Sequence, residues 1–263
     1  MQSIGSGMAI TMSGSIRAVE RALDVLQCFT SQTPELTMTQ ISERIGINKS
    51  TVHRLLLTLE RNRFVERDLS TGMYRPGLRL LQMASLAMEQ NSLRRIAAPF
   101  LQNLRDEYRE NVNLALLDGA DVIYVDVIEG SQRVKLAAVP GQRLPAFCTA
   151  SGKALLAYLP EEHVRNILER GMPQYTAATL TSCEKFIENA EQIRTQGFAI
   201  SEQEFEEGIN AIAAPICNQP IASISIAGPA YRLTRERMLE LGPNLLSTAR
   251  GIAQEVEKAG NIR

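Results

Sequence analysis

A helix over Lys49–Asn62 that turns Val52, Leu55, Leu56 and Leu59 inward leaves Lys49, Ser50, Thr51, His53, Arg54 and Thr58 facing outward. Short hydroxyls and hydrogen-bonding cations then crowd one helix end. This is the chemistry that pairs with base edges in a major groove, and the free N–H groups and dipole of the same helix end favour phosphate. Thr39 and Gln40 open the preceding helix, and Arg67 and Arg75 flank a hairpin turn, where they would touch a nucleic-acid backbone or minor groove. Between Arg44 and Arg67 six basic residues (Arg44, Lys49, Arg54, Arg61, Arg63, Arg67) stand against Glu60 and Glu66. The whole chain carries a net charge of only −1, so this basic segment is a local footprint for a polyanion.

A second cluster, Ala150-Ser151-Gly152-Lys153, invites enzyme readings that fail on spacing. A phosphate-binding loop needs glycine where Phe147 stands and a hydroxyl where Ala154 stands. A Ser-x-x-Lys nucleophile needs serine at Ala150. The chain has 2 histidines, too few to spare for a triad: His53 already has a place on the basic helix, and His163, beside Glu161 and Glu162, is expected to be exposed. No His, Asp, Glu or Cys spacing suggests a metal, so no catalytic residue, metal or cofactor is expected. Lys153 itself is expected to be solvated. Cys28, Cys148, Cys183 and Cys217 stand far apart with no Cys-x-x-Cys, as reduced and mostly buried thiols of a cytoplasmic protein would.

The elements that must position these residues follow from periodicity and capping. At 263 residues, 44% hydrophobic and 22% charged, the chain has apolar residues enough for two cores, and no run is long enough to span a membrane. Met1–Gly14, rich in Ser, Gly and Met, reads as a disordered arm. Ser15 is expected to cap a helix with Ile16, Val19, Leu23, Leu26 and Phe29 inward, broken over Ser31–Pro34. Thr37 and Gln40 form a capping box for a second helix with Ile41 and Ile45 inside, ending at Gly46. Asn48 caps the third, and a hairpin over Phe64–Arg67 and Met73–Arg75 closes a unit at residues 15–76. The order is that of a helix-turn-helix with a wing; a three-helix bundle that binds protein is the alternative.

Residues 77–91 form a helix that is apolar almost all round, with Leu78, Leu80, Leu81, Met83, Leu86 and Met88, and so should pack on a second copy of itself. A unit at 92–263 follows. Its helices are expected over Ser92–Tyr108 (Pro99 marking a kink or the true start), Ala150–Tyr158, Glu161–Glu169, Cys183–Gln196 and Thr234–Lys258. Its strands are expected over Asn113–Leu117, Val122–Ile128, Val134–Val139, Phe198–Ser201, Ile212–Ile216 and Ile221–Ala227. Strands in runs with grouped helices imply an α+β fold on a largely antiparallel sheet.

Ser15–Leu23 and Asn48–Leu56 resemble the winged helix-turn-helix of the IclR family of bacterial transcription regulators. Cys148–Ala157, Glu207-Gly208, Ala213–Ile216 and Ser223–Pro229 resemble that family's effector-binding domain, so the resemblance runs in order from about Ser15 to Ala259. It implies an N-terminal winged helix-turn-helix joined by a linker helix to a GAF-like α/β effector domain. It also implies a dimer or dimer of dimers on double-stranded operator DNA, and control of a nearby operon. The helix start at Ala150 and Ser151 would hold the carboxylate of a small acid, with Ser201, Ala211, Ser225 and Ala227 around it. Ser201 and Ala211 replace the acidic and thiol side chains of the family's more polar version, which suggests a larger or more apolar ligand, such as an aromatic acid, than a two- or three-carbon keto acid. The alternative function is a small-molecule-processing enzyme with an accessory helical domain.

Overall fold

The computed structural model describes residues 15–30, 32–216 and 222–259. The expected N-terminal arm, Ser31 and Cys217 lie outside them. The chain divides into two compact units, with the boundary between Ala87 and Met88.

The first unit opens with α1 (Arg17–Gln27), α2 (Met38–Ile45) and α3 (Lys49–Arg61). Ser15 does not cap α1: the N-cap is Ile16, in extended backbone and with no side-chain bond. The expected inward stripe holds for Leu26 and Phe29 and is corrected for the rest. Ile16, Val19 and Leu23 are exposed, while Val25 and Cys28 are buried with Ala22, Leu26 and Phe29 packed beside them. Two apolar stripes wind around this helix at the same period, and only the packing partner selects one. At α2 the capping box forms as its spacing requires: the Thr37 N–H donates to Gln40 Oε1 at 2.8 Å, and the Gln40 N–H to Thr37 Oγ1 at 3.3 Å. Gly46, at φ +65°, ends α2 in the left-handed conformation a side chain would resist, and Asn48 Oδ1 accepts the Thr51 N–H at 2.9 Å to start α3.

Ile41, Val52, Leu56 and Leu59 from α2 and α3 close a core with Val25, Leu36, Val65 and Tyr74. Each such side chain contributes roughly 1.5–3 kcal/mol by leaving water. β1 (Val65–Arg67) and β2 (Tyr74–Pro76) pair antiparallel, with Glu66 opposite Arg75. Their turn is tied by Asp68, whose Oδ1 accepts from the Ser70 hydroxyl and from the Ser70 and Thr71 N–H groups. Those donors hold its carboxyl below the usual range. α4 (Leu78–Gln90) follows, and its Leu78, Leu81, Met83 and Leu86 are exposed on the single chain.

In the second unit α5 (Ser92–Tyr108) is capped by Asn91, so Pro99 lies inside the helix and does not start it. β3 (Asn111–Asp118), β4 (Asp121–Ile128) and β5 (Arg143–Pro145) precede α6 (Ala150–Leu156), α7 (Glu161–Leu168) and α8 (Cys183–Gln196). β6 (Ala199–Glu202), β7 (Ile209–Ile216), β8 (Ala222–Pro229) and α9 (Arg235–Lys258) complete it. The strands form one sheet in the order β5-β4-β3-β8-β7-β6, every pair antiparallel.

Alternation along the strands divides this unit into two cores. Val112, Leu114, Ile212, Ala214, Ile224 and Ile226 face α5 and α9. Ala115, Ala199 and Ala213 face α6 and α8. Gly152 lets α6 lie directly against the 3-10 turn Ala146–Cys148, since a Cβ there would lie 2.2 Å from Ala146 Cα.

Val134–Val139 is not a strand, contrary to its β-prone sequence. Side chains take the place of a ladder: Asn111 Nδ2 donates to Leu136 O at 3.0 Å and Arg232 Nη2 to Val134 O at 2.8 Å. The strand added to β4 is instead Arg143–Pro145, just past the Pro140-Gly141 turn.

Candidate functional site

On α3 the residues without core duty stand where their spacing puts them. Lys49, Ser50, His53, Arg54 and Thr58 are exposed and Thr51 is half-buried. Two of the hydroxyls are already engaged, Ser50 Oγ with Asn48 Oδ1 at 2.9 Å and Thr58 Oγ1 with Arg54 O at 3.0 Å. Lys49, His53 and Arg54 make no side-chain hydrogen bond or ion pair among the described residues and can meet an outside partner. Gln40 is committed to the capping box, and Thr39 is half-buried beside it. Of the wing arginines, Arg67 lies over the Tyr74 ring at 5.6 Å, while Arg75 is shared by Glu66 at 3.4 Å and Glu35 at 3.8 Å. Arg75 is therefore the less free of the two to meet an outside anion.

Sequence reasoning missed Arg17 and Arg21. They line one groove with Thr51, Arg54 and Thr58, which widens the positive surface along α3. Their spacing of one helical turn on α1 was the available signal.

In the second unit a cavity of about 270 Å³ opens on the α6 side of the sheet. Ser201, Ala211 and Ala227 line it together with Thr149, Cys148 and Tyr124. Ala150, Ser151 and Ser225 are buried but do not line it. Ser225 Oγ accepts from Asn113 Nδ2 at 3.3 Å. Thr149 caps α6, its Oγ1 accepting the Gly152 N–H at 3.3 Å and donating to Pro145 O at 3.0 Å. Burial, reinforced by the charge of Glu204, pushes the Cys148 thiol up to about 12, so it is a neutral wall and not a nucleophile.

Lys153 departs most from expectation. It is 2% exposed, and its Nζ donates to Glu204 Oε1 at 2.5 Å and to Ile200 O at 2.7 Å. The cause is packing: Ala150–Leu156 is buried throughout, so a lysine there must find an acceptor inside. Glu204 lies in the loop from β6 to β7 that supplies Phe205 and Glu206 to the cavity wall. Thr176 and Thr179 fasten the same loop, their hydroxyls donating at 2.6 Å to Gln203 O and Glu204 O. Burial raises the Glu204 carboxyl above its usual range. The lysine is a structural strut of the cavity. His163 is exposed as expected, and no cluster of metal-ligating side chains occurs among the described residues.

A winged helix-turn-helix with a basic exposed face, in a chain whose other unit is a cavity-bearing antiparallel sheet, defines a DNA-binding regulator. Residues 18–69 match the IclR helix-turn-helix domain, and residues 85–254 match the C-terminal region of the bacterial transcriptional regulator IclR. The chain is 32% identical over 246 residues to the transcriptional repressor IclR of Escherichia coli K12, a match that covers 91% of this chain and 90% of that one. An IclR transcriptional regulator structure from Alicyclobacillus acidocaldarius is 27% identical with a TM-score of 0.82, covering 91% and 98% of the two chains. An IclR homologue from Microbacterium hydrocarbonoxydans, solved in complex with 4-hydroxybenzoate, shares the fold at 24% identity and a TM-score of 0.76, over 90% of this chain and 99% of that one. The chain belongs to the IclR family, a family of transcription regulators and not of enzymes.

Proposed function

We propose that this protein represses a nearby catabolic operon, and that a small organic or aromatic acid in the second unit's cavity changes its hold on double-stranded operator DNA. One observation carries the effector reading: Ser201, Ala211 and Ala227, from three neighbouring strands, converge on a single cavity beside the start of α6. Ala211 and Ala227 bring no polar atom and little bulk to that wall, which suits a ring more than a compact keto acid. The aromatic acid held by the Microbacterium protein supports the same class. Lys49, Ser50, Thr51, His53 and Arg54 would read bases, with Thr39, Gln40, Arg67 and Arg75 on the backbone.

The protein would act in the cytoplasm as a homodimer or dimer of dimers. Supporting this, Leu78, Leu81, Met83 and Leu86 leave α4 with an apolar surface uncovered on the single chain. Residues 77–91 would be the linker through which the ligand shifts the population of DNA-competent states, since α4 carries residues of both units.

The test is fluorescence anisotropy on a duplex from the gene's own upstream region, titrated with benzoate, 4-hydroxybenzoate and pyruvate. At least one aromatic acid should move the DNA-binding midpoint, and pyruvate should move it less. DNA binding that ignores every acid would sink the effector assignment while leaving the regulator intact.

A further inference from the structure

Several polar side chains on the cavity wall have a proton committed, though among the described residues the Gln142 amide N–H groups do not. Ser201 Oγ donates to Cys148 O at 3.1 Å, Thr149 Oγ1 to Pro145 O at 3.0 Å, and the Lys135 ammonium pairs with Glu129. Tyr124 differs. It lines the cavity and is 8% exposed, yet its hydroxyl bonds to no protein group among the described residues. The hydroxyl is not among the polar side-chain atoms sealed from solvent, so the small exposure Tyr124 keeps leaves it open to an occupant of the cavity, and buried tyrosines ordinarily use their hydroxyl on such a partner.

The position is not one the ring could simply leave. The Tyr124 N–H donates to Gln142 O at 3.0 Å, and Tyr124 O accepts the Gly141 N–H at 2.7 Å, so the backbone of β4 is held on the side of the β5 approach. Ala115 opposite, on β3, is small and leaves the ring its place on the α6 face. Burial alone pushes the phenol up to about 12, so at neutral pH it is a proton donor and not a phenolate.

We propose that Tyr124 is a ligand-binding residue that donates its hydroxyl hydrogen to an acceptor oxygen of the acid in this cavity, and so selects acids that present a carboxylate or keto oxygen to β4. The proposal rests on the reading that an acid occupies the cavity. A donor held neutral in a low-dielectric wall rewards an anionic or strongly polar oxygen, and it discriminates against a purely apolar occupant, which would leave the hydroxyl unpaired.

Tyr124→Phe tests it, because the change removes one oxygen and keeps the ring. The melting temperature of the ligand-free variant should equal or exceed that of the wild type, since no protein hydrogen bond disappears. Calorimetric titration of the full chain with benzoate, 4-hydroxybenzoate and pyruvate should show the best-bound acid weakened roughly three- to tenfold in the variant. Undiminished binding in a normally melting variant would overturn the role of Tyr124 and leave the cavity assignment standing. Failure of all three acids to bind the wild type would overturn both. A ligand-free variant that melts well below the wild type would show that the hydroxyl serves the fold, and would also overturn the proposal.

Discussion

Lys153 and Glu204 show how one buried pair can hold a binding cavity in shape. Neither charge is solvated, so the pair persists only because each neutralises the other and Ile200 O accepts a further hydrogen bond from the ammonium. Lys153→Met should therefore destabilise the protein by about 3–5 kcal/mol by leaving a carboxylate buried alone, measured by urea unfolding. The double change with Glu204→Leu should recover most of that loss. A single variant as stable as the wild type would show that the pair is no strut. Tyr124 gives a second test at this scale, with a definite sign. Its native value of about 12 lies above the ordinary 10.0, so its titration leaves stability unchanged below pH 10 and costs stability as pH rises from 10 through about 12, where only the unfolded chain ionises freely. Tyr124→Phe should abolish that alkaline loss, a difference of roughly 2–3 kcal/mol in how far stability falls between neutral and strongly alkaline pH. Parallel curves for the two proteins would contradict it. Neither role was legible in the sequence. The partner of Lys153 is distant along the chain, and strand alternation tells which face Tyr124 takes but not that a cavity lies beside it.

Among the elements, those with a local cause were the ones that could be read in advance. The capping box at Thr37, the left-handed Gly46 and the Asn48 cap fix α2 and α3 from neighbouring residues alone, and the exposed polar face of α3 came with them. Elements decided by distant partners were read poorly. α1 offers two apolar stripes, and Val134–Val139 has the residues of a strand but takes its bonds from Asn111 and Arg232. The cavity of the second unit was legible in part for the same reason. Strand positions Ser201, Ala211 and Ala227 reach it, while Ala150, Ser151 and Ser225 are covered by packing that only the assembled fold reveals. α4 carries its own prediction. Its exposed Leu81 and Leu86 are apolar without a partner on the single chain, so Leu81→Asp or Leu86→Asp should yield monomers or aggregates by light scattering, a charge being costly in a buried interface. An unchanged, well-folded oligomer would remove α4 from the subunit interface.

For the whole molecule the governing fact is that a net charge of −1 provides no general attraction to nucleic acid. Affinity must come from a small basic surface, on which the side chains of Lys49, His53 and Arg54 are free of protein partners among the described residues while Arg75 is partly neutralised. Binding should then depend on few side chains and on salt, and removing one phosphate ligand should lower the salt slope by about 1. The most direct test is the affinity of the full chain for a duplex from its own upstream region, compared with the Lys49→Ala/Arg54→Ala variant across a salt series. The wild type should bind specifically. The variant should bind more weakly by about 1–3 kcal/mol for each side chain that reads a base, or show a flatter salt dependence where the side chain holds a phosphate. A double variant with the same affinity, salt slope and footprint as the wild type would contradict the assignment of α3 as the reading helix.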